Sequence, residues 1–501
     1  MSAAIGAIVH NCEPVRMADI PCVGIEGFRT HVVERVKNGA RLVALWVMPG
    51  EALRMMAVLA EDEAGICEVL LTEPGERYGA LTPDCVQAHW FEREVYEQWR
   101  IVPDGHPWLK PLRFHAPWRG AGAKDAERPV PGVTDYFRVE GADIHEVAVG
   151  PVHAGIIEPG HFRFQCDGER VVHLEIELGY QHRGIERMLK GGPDARTVHY
   201  METAAGDSTI AHTLAYCQAY EALSGCTAPP QAQVVRGLAL ELERLANHTG
   251  DLGALANDVA YLPTASFCGR LRGDFLNLTA AVCGSRFGRG LVRPGGVQWA
   301  LDAARAEQIL RRLEVIARDV RGAVELLWDT PSVLDRFEGT GRLTRAQCEE
   351  VGLVGVAARA CGVARDVRYD FPTGIYRLTH VPVATYASGD VFARAYVRWI
   401  EVQRSMEAVR EYLGLVAADA MQNECGKLAP DSLVVSLVEG WRGEVCHVMQ
   451  TDTDGRIGGY KIVDPSFHNW FGLALAMRGE EISNFPLCNK SFNLSYCGHD
   501  L

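Results

Sequence analysis

The chain has 501 residues, too many for one ordinary core, and that length suggests about two to four domains of about 100–200 residues each. Fifty basic against 64 acidic residues leave a net charge of −14, which argues against binding to phosphate backbones, so nucleic acid is not an expected partner. No run of about 18 apolar residues occurs, so the chain is not expected to cross a bilayer by itself, and membrane association falls to partner chains. The start, Met1-Ser2-Ala3-Ala4-Ile5-Gly6, has no basic region ahead of an apolar core, and no secretion signal is expected. The 15 cysteines include no CxxC pair, which argues against a zinc knuckle or an iron–sulfur binding run and predicts reduced, mostly buried thiols in a cytoplasmic protein.

In chain order, Val23 to Lys37 has helical spacing, Arg41 to Val47 reads as a strand, and Pro49-Gly50 precedes a second strand at Leu53 to Ala60. Trp90 to Ile101 follows as a helix, which taken alone presents Glu and Arg on a wet face, and then comes a turn, Gly105-His106-Pro107. Residues 116–135 are rich in Gly, Pro, Ala and charge, a linker composition. Phe162 to Cys166 and Glu169 to Glu177 alternate in period two around Asp167-Gly168, which predicts a β-hairpin.

From Glu202 to Cys217 a loop runs into a helix that Asp207 or Ser208 caps, with Ile210, Leu214 and Cys217 at three- and four-residue steps. His212 lies near its start and, taken alone, reads as a hydrogen-bonded core residue. Gln231 to Asn247 places Val234, Val235, Leu238, Leu242 and Leu245 on one face and Glu241, Glu243 and Arg244 on the other. Further helices are predicted at 265–283, 301–328 and 390–413. The expected class is α+β: a small N-terminal α/β domain (1–115), a linker (116–135) and a large, mainly helical domain (136–501) with a β-hairpin near its start.

The WFERE helix and the GHP turn resemble the 30-kDa-type subunit of respiratory complex I, where this segment is structural and contacts the large subunit. Gly179 to Glu186 (GYQHRGIE) is similar to a segment shared by nickel–iron hydrogenase large subunits and the 49-kDa-type subunit of complex I. Matching blocks follow at Arg293 to Val297, Gly352 to Arg368, Gly389 to Arg394, Glu439 to Glu444, Pro465 to Phe467 and Phe485 to His499. The fused chain resembles the large subunit of membrane-bound, energy-converting hydrogenases, the branch related to formate hydrogenlyase, hydrogenase-4 and complex I.

That resemblance implies a test by metal, because a nickel–iron centre needs four soft thiolates. The family's first cysteine pair falls on Ala205 and Ser208 ahead of His212, and its second on Asn493 and Tyr496 ahead of His499. All four cysteines are lost, and Cys488 and Cys497 lie nearby without a partner at three residues, so no nickel–iron centre is predicted. The chain ends two residues after His499, without the extension that many nickel-bearing relatives have removed. The resemblance assigns a magnesium site to Glu186 and His499; the alternative pairs Glu186 with Arg183 or Arg442 in a polar network of His182, Arg183, Glu186, Arg442, Glu444 and His499.

In complex I the corresponding cleft binds a quinone headgroup through a His and a Tyr. Those positions fall here on Ala154, one residue past His153, and on Gly206. His153, Asp207 and His212 remain as candidates to supply protons or hydrogen bonds to a quinone-like oxidant. The resemblance implies a peripheral-arm subunit that moves electrons from an iron–sulfur cluster in a small partner subunit toward quinone, coupled to ion translocation by antiporter-like membrane subunits. It would sit at the cytoplasmic face of the cell membrane. NAD(P)H enters only as the family's usual donor, since no Gly-rich dinucleotide loop is visible. The alternative is a redox-inactive coupling subunit of such a complex; a third reading is a hydrogenase using Cys488 and Cys497 as atypical ligands.

Overall fold

Apolar runs between residues 41 and 72 build the N-terminal sheet of the computed structural model, which describes residues 5–50, 52–119, 129–153 and 157–501. Its chain order is β1 (Ala7–Val9), β2 (Val15–Arg16), β3 (Cys22–Val23), α1 (Ile25–Lys37), β4 (Arg41–Met48), β5 (Arg54–Glu61) and β6 (Ile66–Thr72). Strands β1, β6, β5 and β4 lie side by side, and β3 runs parallel to β6. α1 covers one face with Phe28 and Val32, both fully buried. A short parallel pair, β7 (Arg77–Gly79) and β8 (Val102–Asp104), brackets α2 (His89–Trp99).

The wet face expected on α2 is absent: Glu92, Arg93 and Glu94 are all buried. Glu92 accepts the amides of Leu81 and Thr82 at 2.8 and 2.9 Å, and Arg93 donates to the carbonyl of Lys110 at 3.0 Å. A helix face made of charges can be interior when each charge has a partner.

The predicted linker lies partly outside the described residues, at 120–128. Beyond it, β10 (His161–Asp167) and β11 (Arg170–Glu177) form the expected hairpin, with Gly168 at φ +57° in its turn, and β9 (Ile144–Val149) adds a third strand to β10. Helices α3 (Ile185–Met188), α4 (Thr197–Glu202), α5 (Thr209–Ser224), α6 (Pro230–Asp258), α7 (Leu262–Cys283) and α8 (Ala303–Trp328) follow. α6 packs on α7 and on the helix Val391–Gly414, whose N-cap is Asp390. A two-residue pair, β12 (Val292–Arg293) and β13 (Gly296–Val297), sits between α7 and α8.

Glu241, Glu243 and Arg244 of α6 do not face solvent. Glu241 binds Arg368 at 3.1 Å, Tyr376 Oη at 2.6 Å and Ser405 Oγ at 2.6 Å, while Arg359 joins Glu401 at 2.9 Å and Glu439 at 2.7 Å. The helical domain is therefore organised around a paired, buried charge network rather than an apolar stripe alone.

A second antiparallel sheet, β14 (Ser432–Glu439), β15 (Glu444–Thr451) and β16 (Ile457–Val463), lies where helices were expected to dominate. α5 packs against β14 and β15, and β4 of the N-terminal unit packs against β16. Burial on both faces leaves an apolar run without alternation, which a sequence does not distinguish from a buried helix. The two units interlock: β2 pairs with β14, Arg16 opposite Ser432, and Gly459 has no Cβ because one would lie 2.7 Å from the Trp46 ring.

Candidate functional site

The site is built where the turn at 179–184, the loop between α4 and α5 and the last residues of the chain converge. Asp500 accepts the amides of Gly179 and Gln181 at 2.8 and 2.9 Å, and its carbonyl accepts from His182 Nδ1 at 2.8 Å. Arg183 donates to the carbonyls of Ala204 at 2.8 Å and Cys497 at 3.0 Å, so one guanidinium ties the loop to the C-terminal segment. His182 stacks on His115 at 4.7 Å; burial, with the Arg113 charge beside it, brings its pKa down to about 4 and leaves it neutral.

Of the four positions where the family places cysteines, Ala205, Ser208 and Tyr496 are buried, and Asn493 takes a left-handed turn at φ +47°. Arg442 spans the gap between the two loops. Its terminal nitrogens grip Asp207 at 2.6 and 2.8 Å, its Nε reaches the carbonyl of Asn493 at 2.6 Å, and its guanidinium lies 3.9 Å over the Trp441 ring.

A methyl, a hydroxyl, an amide and a phenol do not make a thiolate clamp. Burial pushes the Cys497 thiol up to about 11 and the Cys488 thiol up to about 12; Cys497 lies beside Glu158 and Cys488 beside Arg394. The residues present do not fit a nickel–iron centre.

Glu186 finds neither Arg183 nor Arg442. The Lys461 ammonium lies 3.1 Å from it and 2.6 Å from Glu94, and Ile462 N–H donates to its Oε1 at 2.9 Å. Arg113 also pairs with Glu94. An ammonium already neutralises these carboxylates, and it repels a dication. His499 Nδ1 donates to the Asp500 carboxylate at 2.9 Å, its ring stacks on Phe467, and its Nε2 is buried without a partner among the described residues. Magnesium on Glu186 and His499 does not fit this donor set, and among the described residues no group of three or more His, Cys, Asp or Glu forms a metal site.

The expected single polar network is several. Glu444 belongs to the contact between the two units, held by Arg41 at 2.8 and 3.0 Å, while Arg41 also binds Asp62 at 2.6 Å. Glu186 belongs with Lys461, and Arg442 with Asp207.

The three proton candidates separate as well. His153 is half-buried and its Nε2 lies 3.1 Å from Tyr496 Oη; Gly160 makes room for that ring, since a Cβ there would sit 2.5 Å from Tyr496 Cε1. Ala154 lies outside the described residues. Asp207 is committed to Arg442 and does not cap α5, nor does the Ser208 side chain. Glu243 of α6 does so instead, accepting the amides of Ile210 at 2.7 Å and Ala211 at 3.4 Å.

His212 is fully buried, with Nδ1 3.0 Å from His447 Nε2 and Nε2 3.0 Å from Asp464 Oδ2. His447, Tyr460, Lys461 and Asp464 escaped the sequence reading. Their signal was a polar residue inside an apolar strand or at its end, as in Val445-Cys446-His447-Val448 and Tyr460-Lys461-Ile462-Val463-Asp464.

Residues 258–430 match the family described as the 49-kDa subunit of respiratory-chain NADH dehydrogenase. The chain is 31% identical to the carbon monoxide-induced hydrogenase of Rhodospirillum rubrum over 350 residues, 70% of this chain and 97% of that protein. It is 28% identical to formate hydrogenlyase subunit 5 of Escherichia coli (strain K12) over 435 residues, 84% of this chain and 76% of that one. With the C/D-type NADH-quinone oxidoreductase subunit of Bdellovibrio bacteriovorus it shares 26% over 351 residues, 67% of this chain and 63% of the relative. The chain belongs to the family that unites the 49-kDa-type subunit of complex I with the large subunits of membrane-bound hydrogenases, here with a 30-kDa-type unit fused ahead of it.

Proposed function

We propose that this chain is the peripheral-arm subunit of a membrane-bound, complex-I-like redox complex, working without a nickel–iron centre and reducing a quinone-type acceptor at the Tyr496–His153 rim. Electrons come from an iron–sulfur cluster in a small partner subunit, because this chain has no CxxC pair to ligate one. Antiporter-like membrane subunits couple the reaction to ion movement, and the arm lies on the cytoplasmic face. No helix among the described residues is long and apolar enough to cross a membrane, so attachment runs through those partners.

The observation that carries this reading is the 3.1 Å contact between Tyr496 Oη and His153 Nε2. Burial pushes the Tyr496 phenol upward, which keeps it a neutral donor, and His153 stands half-exposed beside it. A quinone carbonyl needs such donors, and its reduced form needs protons delivered at the same oxygens. A tyrosine and a histidine thus meet here, although the family's own two positions carry Gly206 and Ala154.

The second reading, a redox-inactive coupling subunit, draws on Arg442, whose grip on Asp207 and Asn493 holds the two loops as one rigid element. Quinone reduction by the native complex separates the two. The first reading expects Tyr496→Phe and His153→Ala to lower turnover by about 10²-fold. Turnover equal to wild type in both variants would leave the coupling reading.

A further inference from the structure

Two cysteines far apart in the chain, Cys226 and Cys425, are brought together just past the C-terminal end of α5. The helix stops at Ser224 on Gly225, at φ +65°, and the amide of Cys226 turns back to the carbonyl of Glu221 at 2.9 Å. The segment 421–429 runs alongside this turn in the opposite direction. Ala429 N–H donates to the carbonyl of Leu223 at 2.8 Å, and Asn423 Nδ2 donates to the carbonyl of Thr227 at 2.7 Å. Between those two ties, Cys226 falls opposite Glu424 and Cys425. Facing segments at this separation hold opposite Cα atoms about 5 Å apart, within the range of about 4.4–6.8 Å that a disulfide spans.

The thiols agree with that register. Cys226 Sγ reaches the carbonyl of Glu424 at 3.7 Å, and the thiols of Cys226 and Cys425 are in hydrogen-bond contact. Both residues are half-buried, and Cys425 lines an open cleft of about 730 Å³ together with Tyr216, Tyr220 and Asp194. A small reagent can therefore reach the pair. Cys348 and Cys361 also touch each other, but both are buried, and Cys361 Sγ points to the carbonyl of Leu343 at 3.7 Å.

We propose that Cys226 and Cys425 are a redox-sensitive pair that a low-molecular-weight disulfide closes into an intramolecular disulfide bond. One thiolate attacks a sulfur of the reagent and expels one thiol, which leaves a mixed disulfide on the protein. The second thiolate attacks the protein sulfur of that bond and expels the other thiol. The two protons leaving Cys226 and Cys425 end on the two expelled thiols, and the two electrons lost by the pair reduce the reagent's S–S bond. The new bond pins the far end of α5, the helix that carries His212, to the segment that braces the β12–β13 turn. That segment already holds the turn through Asn423 N–H on the carbonyl of Gly295 at 2.9 Å and Val297 N–H on the carbonyl of Met421 at 3.0 Å. Where glutathione keeps thiols reduced, such a bond is transient and reports the thiol poise.

The test incubates the full chain, reduced and then freed of reductant, with oxidised glutathione, and digests it without reduction for mass spectrometry. The expected product joins the Cys226 and Cys425 peptides, leaves the chain lighter by two hydrogens, and retains no glutathione on either residue, while Cys348 and Cys361 stay reduced. The urea midpoint rises, because the bond closes a long loop in the unfolded chain, and dithiothreitol returns it to its starting value. Cys226→Ser and Cys425→Ser show neither the linked peptides nor the rise. Wild type in which both thiols stay free, or in which Cys226 or Cys425 stops at a mixed disulfide, overturns the pair. So does a link from either residue to another cysteine. A bond that forms without raising the midpoint overturns the pinning of α5.

Discussion

Arg442 grips Asp207 with both terminal nitrogens, at 2.6 and 2.8 Å, and carries its third nitrogen to the carbonyl of Asn493. The two loops that in metal-bearing relatives must present four thiolates are here joined by one cation. Asp207 is one-third exposed while Arg442 is buried, so removing the carboxylate strands a buried guanidinium. Asp207→Ala is expected to destabilise the chain by about 3 kcal/mol, read as a lower urea midpoint at unchanged m-value. A midpoint equal to wild type would show that the pair contributes nothing to holding the loops.

Glu241 makes acid stability titratable. Its burial alone would raise its pKa, but Arg368 and Arg244 prevail and bring it from 4.5 down to about 2. A carboxyl depressed in the fold stabilises fully above its unfolded value and loses that contribution as pH falls from about 4.5 toward 2. The loss amounts to about 3 kcal/mol. Glu241→Gln should show a correspondingly shallower decline of stability across that window in denaturant titrations at each pH; an unchanged acid limb would contradict the pairing.

Glu243 acts with the opposite sign. Burial pushes its carboxyl up to about 8, with the charge of Asp207 adding to the effect against the helix amides it accepts. The folded chain therefore holds a proton that the unfolded chain has released, and stability falls as pH rises from about 4.5 to 8, by about 1.4 kcal/mol per unit. Glu243→Gln retains an acceptor for the Ile210 amide without the charge. It is expected to match wild type near pH 5 and exceed it at pH 8, and a variant weaker than wild type at pH 8 would count against a neutral Glu243.

Gly160 is predicted to be irreplaceable for the rim. The 2.5 Å approach of a Cβ to Tyr496 forces the aromatic ring away from His153. Gly160→Ala should cost about 1–3 kcal/mol of stability and weaken quinone binding, seen as a raised KM for a short-chain benzoquinone. Unchanged KM would separate the Tyr496–His153 contact from acceptor binding.

Helices α1, α6, α7 and α8 and the hairpin β10–β11 were legible because each shows its own period in the text. β14, β15 and β16 were not, since burial on both faces erases the alternation that marks a strand. At the site, the resemblance located Ala205, Ser208, Asn493, Tyr496, Glu186 and His499. It did not disclose their partners. Ile462 on Glu186, Arg442 on Asp207 and Asp464 on His212 bring together residues between 235 and 276 positions apart. Such pairings are set by how sheets and helices stack, and the only local trace was a charge or an imidazole within an apolar run.

The most direct measurement is the metal content of the chain, purified anaerobically with its native partners. The donor set of Ala205, Ser208, Asn493 and Tyr496 predicts nickel far below one atom per chain, with iron accounted for by the partner's clusters. Nickel near one per chain would contradict the account and return the protein to the hydrogenases, with Cys488 and Cys497 the first residues to suspect.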